Sequence, residues 1–208
     1  MIYADNGPET LRVYFLRHGE TDWNRWGLYQ GHGDIPLNER GRRQAIKVAV
    51  KLCGETFDNV YVSDLVRAGE TAQIILSRLK AKSVTSLRGL RELDFGHWEG
   101  LSFTEVEAAY PQEVKDAFAQ PDAFRPPGGE SVVELRARVV KAWEGIIQEN
   151  RAGTIMIVTH GGPIRVLWGY WLGKRGMALW NIAFPHCALG FASFNTAGRF
   201  PQTFITGI

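Results

Sequence analysis

The sequence predicts an α/β protein, built as a three-layer α/β/α sandwich around a mostly parallel central sheet. Short apolar runs rich in β-branched and aromatic residues alternate with longer segments whose apolar residues recur at helical spacing. Leu11 to Leu16 and Thr154 to Thr159 are the clearest of these runs. Strands that alternate with helices form a parallel sheet covered on both faces, because each helix carries the crossover between two strands. We expect one domain over residues 1–208.

Two strand and helix pairs are expected in the first half of the chain. Asn38 is a favourable N-cap, and apolar residues after it recur at helical spacing until Gly54 stops the helix. Ser63 or Asp64 is expected to cap the next helix. The expected elements are a strand at Leu11 to Leu16, a Gly- and Trp-rich loop, a helix after Asn38, a strand at Asp58 to Val62 and a helix at Leu65 to Leu79.

The second half of the chain contains a proline-rich excursion. Four prolines break residues 103–127 into short helical pieces, and we expect the segment of about residues 93–129 to form a small lid over the sheet. The other expected elements are a weak strand at Val84 to Leu87, a helix at Glu130 to Asn150, the strand at Thr154 to Thr159, a helix at Gly162 to Leu172, and edge strands at Ala188 to Phe194 and Gln202 to Thr206.

Charge and composition argue against several classes of protein. The 24 basic and 22 acidic residues give a formal net charge of +2 and form no basic stripe, so we expect no nucleic-acid partner. No apolar run approaches the roughly 18 residues of a membrane span, and Met1 to Thr10 lacks the features of a secretory signal. We therefore expect no membrane partner and a cytoplasmic location. Cys53 and Cys187 lack the spacing of a zinc site, and we expect two buried free thiols.

Three of the expected strands end in polar residues that are suited to chemistry. Arg17 and His18 follow the first strand, the sequence Ser63 to Arg67 follows the second, and His160 follows the strand at Thr154 to Thr159. Ligands of open α/β sheets bind at the carboxyl ends of the strands. We therefore expect these separate segments to converge on one crevice.

The residue types at these strand ends suit a phosphoryl group. Phosphoryl transfer needs a nucleophile, cations or amides around the non-bridging oxygens, and an acid for the departing alkoxide. The planar guanidinium groups of Arg17 and Arg67 can hold phosphate oxygens in a fixed geometry. The amides of Gly161 and Gly162, at the start of a helix, can meet an anion. Gly19 would let the backbone come close to the ligand.

Four ordered motifs in this chain resemble the histidine phosphatase superfamily, which includes cofactor-dependent phosphoglycerate mutases, fructose-2,6-bisphosphatases and α-ribazole phosphatases. Together they extend the resemblance over about residues 11–196, nearly the whole chain. The motifs are RHGETDWN at Arg17 to Asn24, SDLVRAGETA at Ser63 to Ala72, RELDFGHWEG at Arg91 to Gly100, and VTHGG at Val158 to Gly162.

The resemblance implies a phosphomonoesterase that needs no metal and no cofactor and acts on a small phosphorylated metabolite. It implies that His18 is the phosphorylated nucleophile, and that Glu92 protonates the leaving oxygen and then activates water. Three further residues are implied to complete the catalytic phosphate pocket: Arg17, Arg67 and His160. The residues implied to bind the substrate are Arg17, Asn24, Gln30, Gly31, Arg67, His160 and Gly161.

Nearby residues leave some alternatives open. Asp94 and Glu99 lie close to Glu92 in the sequence, and any of the three could be a solvated loop carboxylate; only motif position favours Glu92. Other histidines and tryptophans are expected to have surface or packing roles: His32, His97, His186, Trp23, Trp26 and Trp98.

Hydrolysis is favoured over phosphoglycerate mutase-type transfer. Residues 93–129 are short for a mutase insertion, and Lys115 and Arg125 are their only basic residues, so a second phosphate would be poorly neutralised. The lid and the segment Pro126 to Val139 resemble a small bacterial branch that contains α-ribazole phosphatases, which makes α-ribazole 5'-phosphate one candidate substrate. A catalytically inactive phospho-ligand binder and a metal-dependent hydrolase are further alternatives. A homodimer through the apolar C-terminal strands is left open.

Overall fold

The computed structural model describes residues 10–195, 201 and 203–205. The strands of these residues are β1 (Thr10–Arg17), β2 (Thr56–Val62), β3 (Lys80–Ser86), β4 (Gly153–Thr159), β5 (Leu189–Asn195) and β6 (Thr203–Ile205). The helices are α1 (Asp22–Trp26), α2 (Glu39–Lys51), α3 (Val66–Leu76), α4 (Phe103–Ala109), α5 (Pro111–Ala119), α6 (Val132–Glu149), α7 (Gly161–Leu172) and α8 (Met177–Trp180). Short 3-10 turns occur at Arg88–Leu90 and Gly96–Trp98.

The strands form one sheet in the order β3-β2-β4-β1-β5-β6. The pairs β2/β3, β2/β4 and β1/β4 are parallel, whereas β5 is antiparallel to β1 and β6 is antiparallel to β5. The mostly parallel sheet expected from the sequence is therefore confirmed. Because β2, β4 and β1 are parallel neighbours, their carboxyl ends lie side by side.

Helices cover both faces of the sheet. Successive residues of a strand point to opposite faces. Val13 and Phe15 of β1 belong to an apolar cluster with residues of α6 and α7, whereas Tyr14 and Leu16 belong to a second cluster with residues of α2 and α3. The predicted three-layer α/β/α sandwich is confirmed.

The helix starts agree with the sequence in two cases and differ in one. The Asn38 side chain accepts a hydrogen bond from the Gly41 amide at 2.8 Å and caps α2, as predicted. Helix α6 begins at a capping box in which the side chain of Ser131 and that of Glu134 each accept from the other's amide. The predicted cap of α3 at Ser63 or Asp64 is wrong, because α3 starts after Leu65 and has no side-chain cap.

The sequence also missed parts of the secondary structure. Helix α1 lies within the expected Gly- and Trp-rich loop. Strand β3 starts four residues before the expected Val84. Most of its side chains are exposed, so its first residues are polar and lack the apolar pattern from which a strand is predicted. The expected burial of both thiols is wrong for Cys53, which is exposed. Of the last expected strand, Gln202 and Thr206 lie outside the described residues, as does the N-terminus before Thr10.

Residues 93–129 contain a 3-10 turn, α4 and α5 and have an apolar cluster of their own. Trp98, Val106 and Val114 are buried at the centre of this cluster. Asp122 connects the segment to the start of α8, because its carboxylate accepts from the amide of Gly176, the N-cap of α8, at 2.9 Å. The division into one domain with this lid stays a prediction. Among the described residues, we find no helix with both the length and the apolarity to cross a bilayer.

Candidate active site

The carboxyl ends of β1, β4 and β2 bring three segments of the chain together. The His18 amide donates to the Thr159 carbonyl oxygen at 2.9 Å, and the Ser63 amide donates to the Val158 carbonyl oxygen at 2.9 Å. The ring centroids of His18 and His160 are 5.1 Å apart. Residues that are distant in the sequence therefore form one cluster at this edge of the sheet.

His18 is held in one tautomer by the backbone. Its Nδ1 atom lies 2.7 Å from the Gly19 carbonyl oxygen, and the ring is only 3% exposed. A carbonyl oxygen can only accept, so Nδ1 carries the proton and Nε2 of the neutral ring keeps its lone pair. Burial lowers the pKa of His18 well below its ordinary value, and the guanidinium groups of Arg67 and Arg17 lower it further. The ring is therefore neutral at physiological pH, with an unprotonated Nε2.

Gly19 packs against the start of α2. A Cβ at this position would lie 2.6 Å from the Gly41 carbonyl oxygen, so no larger residue fits without a backbone shift. The Gly19 amide donates to the Thr71 hydroxyl of α3 at 3.0 Å. These contacts give the glycine a packing role, and its expected approach to a ligand stays a prediction.

Arg67 is fully buried and is oriented by three hydrogen bonds. It donates to the carbonyl oxygens of Gly31 at 2.7 Å and Gly33 at 2.8 Å, and its Nε donates to Nδ1 of His160 at 3.2 Å. A guanidinium has five N–H groups, so two remain for a ligand. Burial lowers the pKa of Arg67 to about 10, so the group stays charged at neutral pH.

His160 is also held in one tautomer. Because its Nδ1 accepts from Arg67, the proton lies on Nε2, which donates to the Ser63 hydroxyl at 2.7 Å. The ring is fully buried, and this burial lowers its pKa well below the ordinary value. Ser63 was expected to cap a helix, and its contact with His160 is visible only in three dimensions.

Arg17 is positioned by the loop that precedes β5. Its Nη1 donates to the Phe184 carbonyl oxygen at 2.7 Å, and the Cys187 amide donates back to the Arg17 carbonyl oxygen at 3.2 Å. Its Nε is buried and has no protein partner within the described chain. Burial lowers the pKa of Arg17 to about 10, so it remains a cation with free donors. Burial raises the pKa of Cys187 to about 12, so its thiol stays protonated.

His186 lies in the same loop and lines the pocket, which the sequence did not predict. Its ring centroid is 5.7 Å from that of His18, and its Nε2 is buried without a hydrogen-bond partner in the described residues. Burial lowers the pKa of His186 to about 3, with a further contribution from Arg17. Its surroundings in the sequence contain no motif that would have singled it out.

Glu92 lies at the start of α7. Its carboxylate accepts from the Gly162 amide at 3.0 Å and from the Leu93 amide at 2.8 Å. A Cβ on Gly162 would lie 2.1 Å from Glu92 Oε1, so only glycine permits this contact. The sequence predicted an anion at this helix start, and in the structure the Gly162 amide binds the carboxylate of Glu92.

The backbone of Glu92 is fixed from behind by two side chains. Arg138 of α6 donates to the Glu92 carbonyl oxygen at 2.6 Å, and Nε2 of His32 lies 3.1 Å from the same oxygen. Nδ1 of His32 is 3.3 Å from Asp94 Oδ2. His32 therefore has a positioning contact rather than a purely surface role.

The other two candidate carboxylates accept hydrogen bonds from backbone amides of the surrounding loops. Glu99 accepts from the backbone amides of His32 at 2.7 Å and Gly33 at 2.6 Å. Asp94 accepts from the Gly96 amide at 2.9 Å. Both carboxylates shape the loops around the site, which leaves Glu92 as the one at the helix start.

The remaining predicted binding residues do not all reach the cluster. Asn24 is part of the capping box of α1, in which it exchanges hydrogen bonds with Thr21 at 3.2 Å. Gln30 accepts from the Thr21 hydroxyl at 2.7 Å, and its buried Nε2 has no partner in the described chain. Gly31 contributes its carbonyl to Arg67. The hydrogen bonds of Asn24 and Gln30 thus go to Thr21 rather than to His18.

Arg165 of α7 is a third cation beside the site, and the sequence missed it. A Cβ on Gly161 would lie 2.6 Å from Arg165 Nη1 and 3.7 Å from the central carbon of the Arg17 guanidinium. Arg165 donates to the Ile182 carbonyl oxygen at 3.0 Å and lies over the Trp180 ring at 5.7 Å. Its spacing of four residues from Gly161 on α7 could have suggested it.

Three other residues that were expected to have surface or packing roles lie outside the cluster. His97 is exposed, Trp26 is 61% exposed, and Trp98 is buried within the apolar cluster of the lid. In the part of the chain that the structure describes, no group of three or more His, Cys, Asp or Glu residues is arranged to hold a metal ion.

Comparison with known proteins defines the family of this fold and site. The family model for branch 1 of the histidine phosphatase superfamily matches residues 13–204, so the chain belongs to this superfamily, as its motifs predict. It is 42% identical over 159 residues to phosphoglycerate mutase-like protein 4 of Arabidopsis thaliana, covering 75% of this chain and 69% of that protein. It is 35% identical over 162 residues to the metal-independent phosphoserine phosphatase of the same plant, covering 77% and 68%.

A solved structure supports the same assignment. The crystal structure of the α-ribazole phosphatase from Shigella flexneri superimposes with a TM-score of 0.84 at 27% identity, covering 94% of this chain and 95% of that one. The named relatives include phosphatases with different substrates. They support phosphatase activity for this chain and leave its substrate open.

Proposed function

We propose that the protein is a metal-independent phosphomonoesterase that hydrolyses a small phosphorylated metabolite through a phosphohistidine on His18. The observation that carries this proposal is the state of the His18 ring. Nδ1 is turned to the Gly19 carbonyl oxygen at 2.7 Å, which leaves the Nε2 lone pair free in a pocket that also contains the buried guanidinium groups of Arg17 and Arg67.

In the first step, the Nε2 lone pair of His18 attacks phosphorus and the bond from phosphorus to the ester oxygen breaks. The departing oxygen takes a proton from the carboxyl group of Glu92, so the products are a free alcohol, phosphohistidine and the Glu92 carboxylate. In the second step, Glu92 takes a proton from water while that water attacks phosphorus. The nitrogen–phosphorus bond breaks, and inorganic phosphate and neutral His18 are released.

The surrounding groups neutralise the phosphoryl oxygens. Arg17 and Arg67 retain N–H groups that are not used by protein partners. We assign the Gly161 amide and the unpartnered Nε2 of Gln30 to the same oxygens, while His160 orients the Arg67 guanidinium through its Nδ1. Gly31 acts by orienting Arg67, and Asn24 acts by holding the loop of Thr21.

Hydrolysis fits this site better than mutase transfer. Arg125 of the lid pairs with Glu134, which offsets its charge, and donates to the Gly129 carbonyl oxygen at 3.2 Å, so it is a weaker partner for a second phosphate. Lys115 is exposed on α5. A monophosphate such as α-ribazole 5'-phosphate, whose phosphatase from S. flexneri shares this fold, therefore suits the site better than a bisphosphate.

The decisive experiment is a p-nitrophenyl phosphate assay in EDTA combined with trapping of the phosphoenzyme. We expect turnover in the chelator and an acid-labile phosphoryl group that is absent from His18→Ala. Activity lost in EDTA and restored by a divalent metal would contradict metal independence. A folded protein that binds phosphate without any turnover would favour the inactive binder.

The substrate is tested separately. A screen of α-ribazole 5'-phosphate, phosphoserine, 3-phosphoglycerate and fructose 2,6-bisphosphate compares kcat/KM between esters and detects mutase transfer directly. One ester preferred by orders of magnitude would identify the substrate. If phosphoryl transfer to 3-phosphoglycerate is faster than the release of inorganic phosphate, the protein is a mutase instead.

A further inference from the structure

We propose that an aromatic cavity between residues 93–129 and α8 binds an apolar ring in the alcohol part of the substrate, and that the substrates are phosphate esters whose alcohol carries such a ring. This inference rests on the proposed phosphatase function and specifies the class of substrate on which the phosphatase acts. The cavity has a volume of about 240 Å³. Side chains from four parts of the chain line it, among them Tyr29, Leu93, Trp98, Ala117, Phe118 and Trp180.

Two contacts connect this cavity to the phosphate site. Leu93 lines the cavity, and its amide donates to the Glu92 carboxylate at 2.8 Å. Trp180 lines another part of the wall, and its ring lies 5.7 Å below the guanidinium of Arg165. Leu93 and Trp180 thus stand between the cavity and the residues Glu92 and Arg165, and an alcohol group that leaves toward Glu92 would extend in this direction.

The lining decides what kind of alcohol fits. All the residues that line the cavity are apolar or aromatic, and none is charged. A carboxylate, a second phosphate or a sugar would lose its hydration there without compensation. A cavity of about 150 Å³ is known to take a benzene ring, so this larger space accommodates a ring with a short chain or a fused pair of rings.

Trp98 contributes an indole ring to this wall. Its ring stacks on Phe124 with centroids 5.4 Å apart. The side chain is 5% exposed, and its Nε1 has no hydrogen-bond partner among the described residues. Buried indole N–H groups usually find an acceptor. This N–H group is closed off from the cavity, so Trp98 presents the apolar part of its ring to the ligand.

The test compares 3-phenylpropyl phosphate with propyl phosphate. The same carbon type carries the phosphate in both, so the leaving-group chemistry is matched and the ratio of kcat/KM reports the ring alone. We expect a ratio on the order of ten- to a hundredfold in favour of the ring, because burying a ring removes a large apolar surface from water. Ala117→Phe, which fills the cavity, should bring that ratio close to one.

Ala119→Phe is the matched control, since Ala119 is exposed on the same helix and does not line the cavity. It should leave the ratio unchanged. Should Ala117→Phe fail to fold, Phe118→Ala replaces it, because this lining side chain is 61% exposed and tolerates truncation. It should raise KM for the phenylpropyl ester several-fold.

Three outcomes would overturn the proposal. The first is a ratio near one in the unmodified protein, and the second is an equal effect of Ala117→Phe and Ala119→Phe. The third is a change of molecular mass in sedimentation with Ala117→Phe, which would assign the cavity to an interface between copies. If neither ester is hydrolysed, the p-nitrophenyl phosphate assay decides whether the proposed function has failed. Tryptophan fluorescence titration then compares the binding of the two esters, and equal affinities would refute the cavity as their binding site.

Discussion

Arg138 of α6 donates a hydrogen bond to the backbone carbonyl oxygen of Glu92 at 2.6 Å. The same guanidinium donates to the Arg91 carbonyl oxygen at 2.7 Å and to the Gly89 carbonyl oxygen at 3.2 Å. Glu130 accepts from its Nε at 3.0 Å. One planar group therefore fixes the backbone before and at Glu92, and so determines where the carboxylate enters the site.

Arg138→Met should slow the hydrolysis of esters whose leaving group needs a proton more than that of esters whose leaving group does not. We expect kcat on propyl phosphate to fall on the order of ten- to a hundredfold, since general acid catalysis contributes about that much or more. The rate on p-nitrophenyl phosphate should fall much less, because nitrophenolate leaves without a proton. Steady-state kinetics on the two esters measures the difference.

The control for this prediction is Arg136→Met on the same helix, whose guanidinium lies 5.7 Å from the Tyr170 ring centroid. It should leave both rates unchanged. If Arg138→Met slows both esters equally, the side chain stabilises the fold and does not position the acid.

His18→Ala should abolish turnover, because it removes the only group proposed to bond to phosphorus. The loss is on the order of several kcal/mol in activation free energy, as for other catalytic nucleophiles. Rapid-quench kinetics with a labelled ester should show no phosphoenzyme. His97→Ala, which removes an exposed histidine, should keep the normal rate. A near-normal rate in His18→Ala would refute the phosphohistidine.

The sequence predicted those parts of the fold and site that depend on local pattern. The apolar runs of β1 and β4 are buried strands that pair with each other, and both are followed by site residues. His18 and His160 directly follow β1 and β4, and Arg67 lies in the first turn of α3 after β2. These positions could be predicted from local pattern, and the parallel order of β2, β4 and β1 brings them together.

The remaining features depend on contacts between distant segments. Nothing local pairs the Glu92 carboxylate with the Gly162 amide or Ser63 with His160. His186 reaches the site because its loop returns along β1. Strand β3 was predicted too short because an exposed edge strand needs no apolar pattern.

Stability should decrease as the pH falls below about 6.5. Burial lowers the pKa of His186 to about 3 and holds the pKa values of His18 and His160 well below their ordinary range. In the unfolded chain these rings titrate near pH 6.5. Below that pH the unfolded state binds protons that the folded state does not, so the free energy of unfolding falls, by about 1.4 kcal/mol per pH unit for each ring.

Urea unfolding at pH 7.0 and at two or three lower values measures this slope. His186→Asn should reduce this slope by up to the contribution of one proton. A free energy of unfolding that stays constant from pH 7 to pH 5 would contradict the neutral state of the buried rings.

Gly162→Ala tests the contact between Glu92 and the start of α7. The new Cβ would lie 2.1 Å from Glu92 Oε1, and the carboxylate must move away. We expect kcat on propyl phosphate to fall on the order of a hundredfold, in line with the loss of a positioned acid. Inhibition by inorganic phosphate should persist, because Arg17 and Arg67 are untouched.

Gly145→Ala on α6 is the matched control. Its Cβ meets no atom within 4 Å, so this substitution should stabilise the helix by about 0.5–1 kcal/mol and leave kcat unchanged. A Gly162→Ala protein with normal kcat would mean that the carboxylate can act from another position, and the proposed role of this amide would be wrong.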